Sequence, residues 1–276
     1  MLNEISINGK SIESFGGRIL DNPLPSLIEF APIKTPDKNE WYEEDGIEVD
    51  LQEVYLQERK FTLRFWFADY PSWRRLFDEL KKSSYKTITT PYGEWRLRAT
   101  TLQTEKAKNH CVVVKITFVD DFPIKGEDYV FSNHIQGIDS GMSIEGVNVA
   151  DYGISILSGT DEEWFNPAKV RENLKVNQKY ADGTVYFGGD VNFKSRNVQL
   201  NLLLKSDTIT NLINNYYAFV SLLIRTDKIE GITGVKTIDY KGITHKFHYK
   251  SAKIKRVANR EREPFFNIEL TITIID

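Results

Sequence analysis

Ser6-Ile7-Asn8-Gly9, followed shortly by Phe15-Gly16-Gly17-Arg18-Ile19-Leu20, occurs twice in this chain. The second occurrence is Ser143-Ile144-Glu145-Gly146 with Tyr152-Gly153-Ile154-Ser155-Ile156-Leu157, and it aligns without a gap. The offset is constant, since 146 − 9, 153 − 16 and 157 − 20 all equal 137. The same register places Ala31 on Ala168, Ile33-Lys34 on Val170-Arg171, Asp45-Gly46 on Asp182-Gly183 and Arg59 on Arg196. Units of this length exceed the roughly 20–50 residues of solenoid modules. The pattern therefore predicts two copies of one whole domain, residues 1–121 and 141–276, joined by a linker over 122–140 that carries Pro123, Gly126 and Gly137.

Within each unit the apolar spacing predicts the elements. Glu4 to Ile7 alternates and is closed by Asn8-Gly9, a strong hairpin signal because both turn residues need positive φ. Arg18-Ile19-Leu20 reads as a strand broken by Asp21-Asn22-Pro23-Leu24-Pro25. Residues 31–58 are polar, with Asp45-Gly46 at a turn, and predict a long hairpin or arm. Leu63, Phe65 and Phe67 alternate with polar residues, as do Val198, Leu200, Leu202 and Leu204, so each set marks a strand with one face in the core. Trp73, Leu76, Phe77 and Leu80 then form a helical stripe, answered at offset 136 by Ile209, Leu212, Ile213 and Tyr216 in a helix about two turns longer. The turn Tyr92-Gly93 matches Lys241-Gly242 at offset 149, and the last strands match at 156, both ending on an aspartate, Asp120 and Asp276. The expected class is mainly β, an α+β arrangement of two tandem sandwiches or partly closed barrels, each with one flanking helix.

Composition narrows the function. The chain has 276 residues, 41% hydrophobic and 27% charged, a globular balance. A net charge of −3 gives no footprint for nucleic acid. The first residues lack a basic start and an apolar core, so no signal peptide is expected, and no apolar run is long enough to span a membrane. One cysteine, Cys111, excludes an internal disulfide framework and points to folding in a reducing cytoplasm.

Each candidate chemical site has a simpler structural explanation. His245 and His248 lie three apart in an alternating segment, which puts them on opposite faces of a strand rather than on one metal. Cys111 is expected to be a buried structural residue, with His110 pointing to the other face. Glu43-Glu44-Asp45 and Asp161-Glu162-Glu163 read as solvated turns. Gly188-Gly189 and Gly231 to Gly234 lack the lysine and strand-to-helix setting of a phosphate loop. No catalytic, cofactor or metal residues are assigned, and an enzyme is not expected. Three aromatics stand outside the core pattern. Trp66 is on the polar face of its strand, and Trp41 and Tyr42 are in the arm. These three are the candidate protein contacts.

The order of strand, Asn8-Gly9 turn, Phe15-Gly16-Gly17-Arg18-Ile19-Leu20, arm with Asp45-Gly46, Arg59-led strand, helix, hairpin and final strand resembles the ring-forming domain of phage distal tail proteins, members of the tail-tube-like family. The resemblance implies a β-sandwich with a flanking helix and a long loop, and subunits that pair around a central channel without an active site. It departs from familiar distal tail proteins in its C-terminal half, which repeats the first half in place of a lectin-like domain; a hub or tail-completion role fits equally. The implied partners are the chain itself, as a hexamer or as a trimer with pseudo-six-fold symmetry, and other tail or baseplate proteins. The implied location is the virion tail, after synthesis in the bacterial cytoplasm. The alternative is a tandem β-sandwich binding module, for instance for carbohydrate.

Overall fold

The computed structural model describes residues 4–276, apart from 42–43, 109, 124–128, 133–134, 173, 178, 181, 188–190 and 259–262. The protein is mainly β. In the first half the strands are β1 (Ser6–Ile7), β2 (Lys10–Ser11), β3 (Gly17–Ile19), β4 (Lys38–Asn39), β5 (Glu48–Val49), β6 (Arg59–Phe67), β7 (Tyr85–Thr90), β8 (Gly93–Lys108) and β9 (Cys111–Asp120). Helices α1 (Leu24–Ile28) and α2 (Tyr70–Lys81) interrupt them. The second half repeats the series as β10 (Ser143–Ile144), β11 (Val147–Asn148), β12 (Ile154–Ile156), β13 (Leu174–Val176), β14 (Val185–Phe187), β15 (Arg196–Lys205), β16 (Val235–Tyr240), β17 (Ile243–Ala258) and β18 (Phe265–Ile274), with α3 (Thr160–Phe165) and α4 (Ile209–Ile224).

Each half has one seven-stranded antiparallel sheet, and the two strand orders are the same: β2-β1-β7-β8-β9-β6-β3 and β11-β10-β16-β17-β18-β15-β12. The edge strands force each sheet to curl. Ser11 ends β2 and Gly17 begins β3, so six residue steps (17 − 11) join opposite edges. Six steps reach at most about 21 Å, whereas a flat sheet of seven strands would hold its edges about 29 Å apart. The second half has the same six steps, 154 − 148.

The repeated glycine turns have a direct cause. Asn8 (φ 51°) and Gly9 (φ 75°) are both left-handed, as are Glu145 (φ 51°) and Gly146 (φ 76°), the geometry of a two-residue hairpin turn that matches strand twist. The residue before each glycine is also kept for its side chain. Asn8 Oδ1 accepts the Thr87 N–H at 3.0 Å, and Glu145 Oε1 accepts the Thr237 N–H at 2.5 Å. Each bond ties the hairpin to the neighbouring strand at one site, since 237 − 87 equals the offset of β16 on β7.

Pairing corrects three sequence offsets. β7 and β8 sit on β16 and β17 at 150 (for example 235 − 85), so Pro91-Tyr92 is the turn that matches Lys241-Gly242, and the two glycines are not equivalent. Phe67 pairs with Val112 and Leu204 with Phe266, which sets the last strands at 266 − 112 = 154, not 156. A two-residue error keeps the same face inward, so alternation could not reveal it. Asp120 is thus equivalent to Ile274, and Asp276 is not its counterpart. The helix caps give the third correction. Asp69 accepts the Ser72 N–H and Thr208 the Asn211 N–H, so the helices align at 208 − 69 = 139, about one turn from the stripe-based 136.

Other expectations change locally. Asp21-Asn22-Pro23-Leu24-Pro25 does end a strand, but Asn22 Oδ1 accepts the Leu24 N–H at 3.0 Å and the prolines open helix α1. Asp161-Glu162-Glu163 form the first turn of α3 rather than a loop, where negative charge suits the helix dipole. Cys111 is half-buried, not buried, because it opens β9 directly after His110, at the end of the strand. His248 is buried, while His245 Nδ1 is 2.9 Å from Asp276 Oδ1.

One apolar cluster runs through both halves, from Ile7, Phe65 and Ile116 to Leu200, Tyr216 and Ile272. Tyr129 and Phe131, from the predicted linker, pack on it, Tyr129 tilted against Tyr217 (ring centroids 4.8 Å apart) and Phe131 stacked on Tyr152 (4.6 Å).

Candidate functional site

The feature that joins the two halves is the arm of the first, residues 29–58. Its base is held by Arg59. The guanidinium donates to the Leu27 carbonyl (3.1 Å), to the Glu29 carbonyl and to Asp120 Oδ2 (3.0 and 2.5 Å), so α1 and the arm root are tied to the end of β9. Arg196 donates to the Glu163 and Trp164 carbonyls (3.0 and 2.8 Å) and so holds α3 in the same way. No carboxylate takes the place of Asp120, because Ile274 occupies that site. Burial pushes the Arg196 pKa down, against the pull of Glu163 and Asp276.

From this root the arm crosses the second sheet. Helix α1 packs on β17. Phe30 meets Tyr249 edge-on at 6.0 Å, and its N–H donates to the Tyr216 hydroxyl at 3.0 Å. The Tyr249 hydroxyl donates to the Ala31 carbonyl at 3.2 Å, and the Ile33 N–H donates to the Lys250 carbonyl at 3.3 Å. Burial raises the pKa of Tyr216, Tyr217 and Tyr249, so these phenols stay neutral hydrogen-bonding groups. Burial likewise raises the Glu29 carboxyl, against the pull of Arg59.

Further out, Leu51 accepts the Gly234 N–H at 2.9 Å, and Val54 lies where any side chain on Gly234 would go. The tip closes on the root of the second arm. Gly46 N–H donates to the Phe193 carbonyl (2.9 Å), Phe193 N–H to Asp45 Oδ1 (2.6 Å), and Ile47 N–H to the Ile275 carbonyl (3.0 Å). Buried Arg171 donates to the carbonyls of Trp41 (2.7 Å) and Gly46 (2.5 Å). A Cβ on Gly46 would lie 1.9 Å from the Ile275 oxygen. This glycine answers both a φ of 68° and a close backbone approach.

The residues singled out from sequence fall differently around this seam. Trp41 lies at the tip of the arm; its ring is exposed, its Nε1 is 3.3 Å from Glu48 Oε2, and its carbonyl receives Arg171. Tyr42 lies outside the described residues, as do Glu43, His134 and Gly188-Gly189. Trp66 is on the outer face of β6, half-buried, with the Arg18 guanidinium 4.6 Å over its ring. Ile28, Ile33, Leu51 and Val54 make the seam, and sequence reasoning missed them. Their signal was slight: Ile33, Leu51 and Val54 are scattered apolar residues within a polar stretch, and Ile28 ends a helix of only five residues.

A cleft of about 190 Å³ lies between the halves, lined by Tyr92, Trp95, Tyr129, Ile213 and Tyr217. Two larger and more open grooves run along the first arm, one of about 640 Å³ lined by Asp37, Glu48, Leu51 and Val235 and one of about 380 Å³ lined by Lys34, Gln52, Tyr55 and Lys228. Among the described residues, no three histidine, cysteine or acidic side chains cluster as a metal site would. No described helix is long and apolar enough to cross a membrane.

No family profile matches the chain, and no curated protein matches it. Among solved structures it is similar to the Dit (gp 19.1) protein of phage SPP1, described as a paradigm of the hub adsorption apparatus in phages that infect Gram-positive bacteria. That overlay covers 100% of this chain and 99% of the other, at 11% identity and a TM-score of 0.32.

Proposed function

We propose that this chain is a structural assembly protein of a phage tail, a ring component of the distal tail, hub or tail-completion type, which acts by associating with itself around a central channel and catalyses no reaction. The observation that carries the proposal is the seated arm. A domain that covers its neighbour with a long arm, and that occurs twice in one chain, has the form of one repeating subunit contact made covalent. Heterologous contacts of this kind close into rings when the rotation between units closes. Curled sheets whose edge strands are two or three residues long also suit close assembly, because they offer little template for unspecific pairing. The order of elements supports the tail assignment through the resemblance described above.

Light scattering on a sizing column at several concentrations, with negative-stain images of the peak, tests the proposal. A particle of three or six chains with a central hole supports it. A monomer at every concentration, together with binding in a glycan screen, favours the tandem binding module instead.

A further inference from the structure

The arm of the first half has a seat within its own chain, but among the described residues the arm of the second half has none, although the two share a root. Both are pinned by the same bridge at the root, Ile33 with Leu56 and Val170 with Phe193, at offset 137 (170 − 33 and 193 − 56). Three of the four seam positions, those of Ile28, Ile33 and Val54, remain apolar and are open in the second half, while Leu51 corresponds to a glycine, Gly188. Ile28 is 0% exposed and its equivalent Phe165 55%; Ile33 is 6% and Val170 49%; Val54 is 7% and Val191 64%. A Cβ on Gly46 collides with the seat, whereas one on Gly183 meets nothing within 4 Å.

The seat shows the complementary asymmetry. On β17, which the first arm's root contacts at Tyr249 and Lys250, Ala252 is 1% exposed, but its equivalent on β8, Leu102, is 37% exposed (252 − 102 = 150). β8 and β17 carry the same two bulges against β9 and β18, at 99/101 and 249/251 and at 104/106 and 254/256, so the two backbones follow one path. At the tip contact, Phe193 offers its N–H and C=O to Asp45 and Gly46. Its equivalent Leu56 is bridged to Ile33 through the flanking bonds of Lys34 to Tyr55 and Gln57 to Pro32, and among the described residues the Leu56 N–H and C=O have no partner.

We infer that the second arm of one copy, through Phe165, Val170, Val191 and Phe193, docks on β8 around Leu102 in the first half of a second copy, on the face that β17 offers the first arm, and so repeats between chains the contact the first arm makes within one. The pairing rests on the self-assembly proposed above and names its partner surface. Both donor and acceptor are open on a single chain, so the contact is head-to-tail and propagates until it closes. In this pairing Val170 takes the place of Ile33 and Thr100 that of Lys250, Gly183 sits against Asp121 (275 − 154), and Asp182 meets the Leu56 N–H.

Two sets of variants test it in the full chain. In a Cys111→Ser background, Val170→Cys with Thr100→Cys should form a disulfide between chains under mild oxidation, since the template contact brings the backbones within disulfide reach. Phe165→Asp with Val191→Asp should weaken association roughly thirtyfold or more and leave the circular dichroism of the dilute protein unchanged, because both positions are exposed in the single chain. If the wild type assembles but the disulfide fails to form and the charged variant assembles equally well, the pairing is wrong and the ring reading stands. If the wild type stays monomeric at every concentration, both fail.

Discussion

Gly46→Ala separates the seat of the first arm from the turn that carries it. Gly46 and Gly183 are equivalent turn glycines with φ of 68° and 78°. Alanine at either position meets the left-handed backbone penalty, about 1 kcal/mol. At Gly183 nothing else is disturbed. At Gly46 the new Cβ would fall 1.9 Å from the Ile275 carbonyl oxygen, so the arm tip must lift. The bonds then at risk are Gly46 N–H to Phe193, Ile47 N–H to Ile275, and the charged donor Arg171 to the Gly46 carbonyl. Neutral bonds contribute about 1 kcal/mol each and charged ones about 1.5–3. Gly46→Ala should therefore destabilise by about 4.5–6 kcal/mol if all three bonds are lost, and Gly183→Ala by about 1. The assay is urea unfolding of both variants at sub-micromolar protein, followed by tryptophan fluorescence, to which Trp41 at the tip contributes. Equal destabilisation of the two variants, within about 1 kcal/mol, would refute the close-approach argument for Gly46.

Arg59→Ala should cost about 3–5 kcal/mol because it leaves Asp120 buried without its partner, and Arg196→Ala should cost less, since only carbonyls lose a donor there; chemical denaturation of both variants checks the order. Tyr216→Phe leaves the Phe30 N–H without an acceptor at the seam and should lower stability by about 1–3 kcal/mol, read in the same assay. Arg18→Ala should change the emission of Trp66 while lowering stability by only about 0.5–1 kcal/mol, as for an exposed cation–π pair. Lys10 and Lys82 both donate to Glu79, which holds its carboxyl down at about 2, from an ordinary 4.5. A depressed carboxyl stabilises the fold above its unfolded value, so the stability difference between wild type and Glu79→Gln should be full above about pH 4.5 and shrink as pH falls toward 2; urea midpoints across that range measure it.

Much of the fold was legible because its signals are local. Asn8-Gly9 and Glu145-Gly146 specify a turn through φ alone, and Leu63 to Phe67 specify a buried face through alternation. What alternation cannot see is a shift by two, which is why Asp120 and Asp276 looked equivalent until the pairing of Phe67 with Val112 fixed the register. Helix α1 was missed because five residues are too short to show a helical period. The seam was missed for a different reason. Ile33, Leu51 and Val54 bury themselves against residues some 180 to 220 positions away, and no local period reports on a partner that distant. Trp41 drew notice through its ring, yet the carbonyl of the same residue is what Arg171 binds.

The intramolecular seat of the first arm bears on how fast a ring could form. In a ring of three such chains, six arms must find six seats. Three of those encounters are tethered, each at the high effective concentration set by a short connection, and are complete before any two chains meet. Nucleation then depends on the third power of protein concentration rather than the sixth. A scarce protein could reach a closed ring at levels where single-domain subunits would remain dispersed.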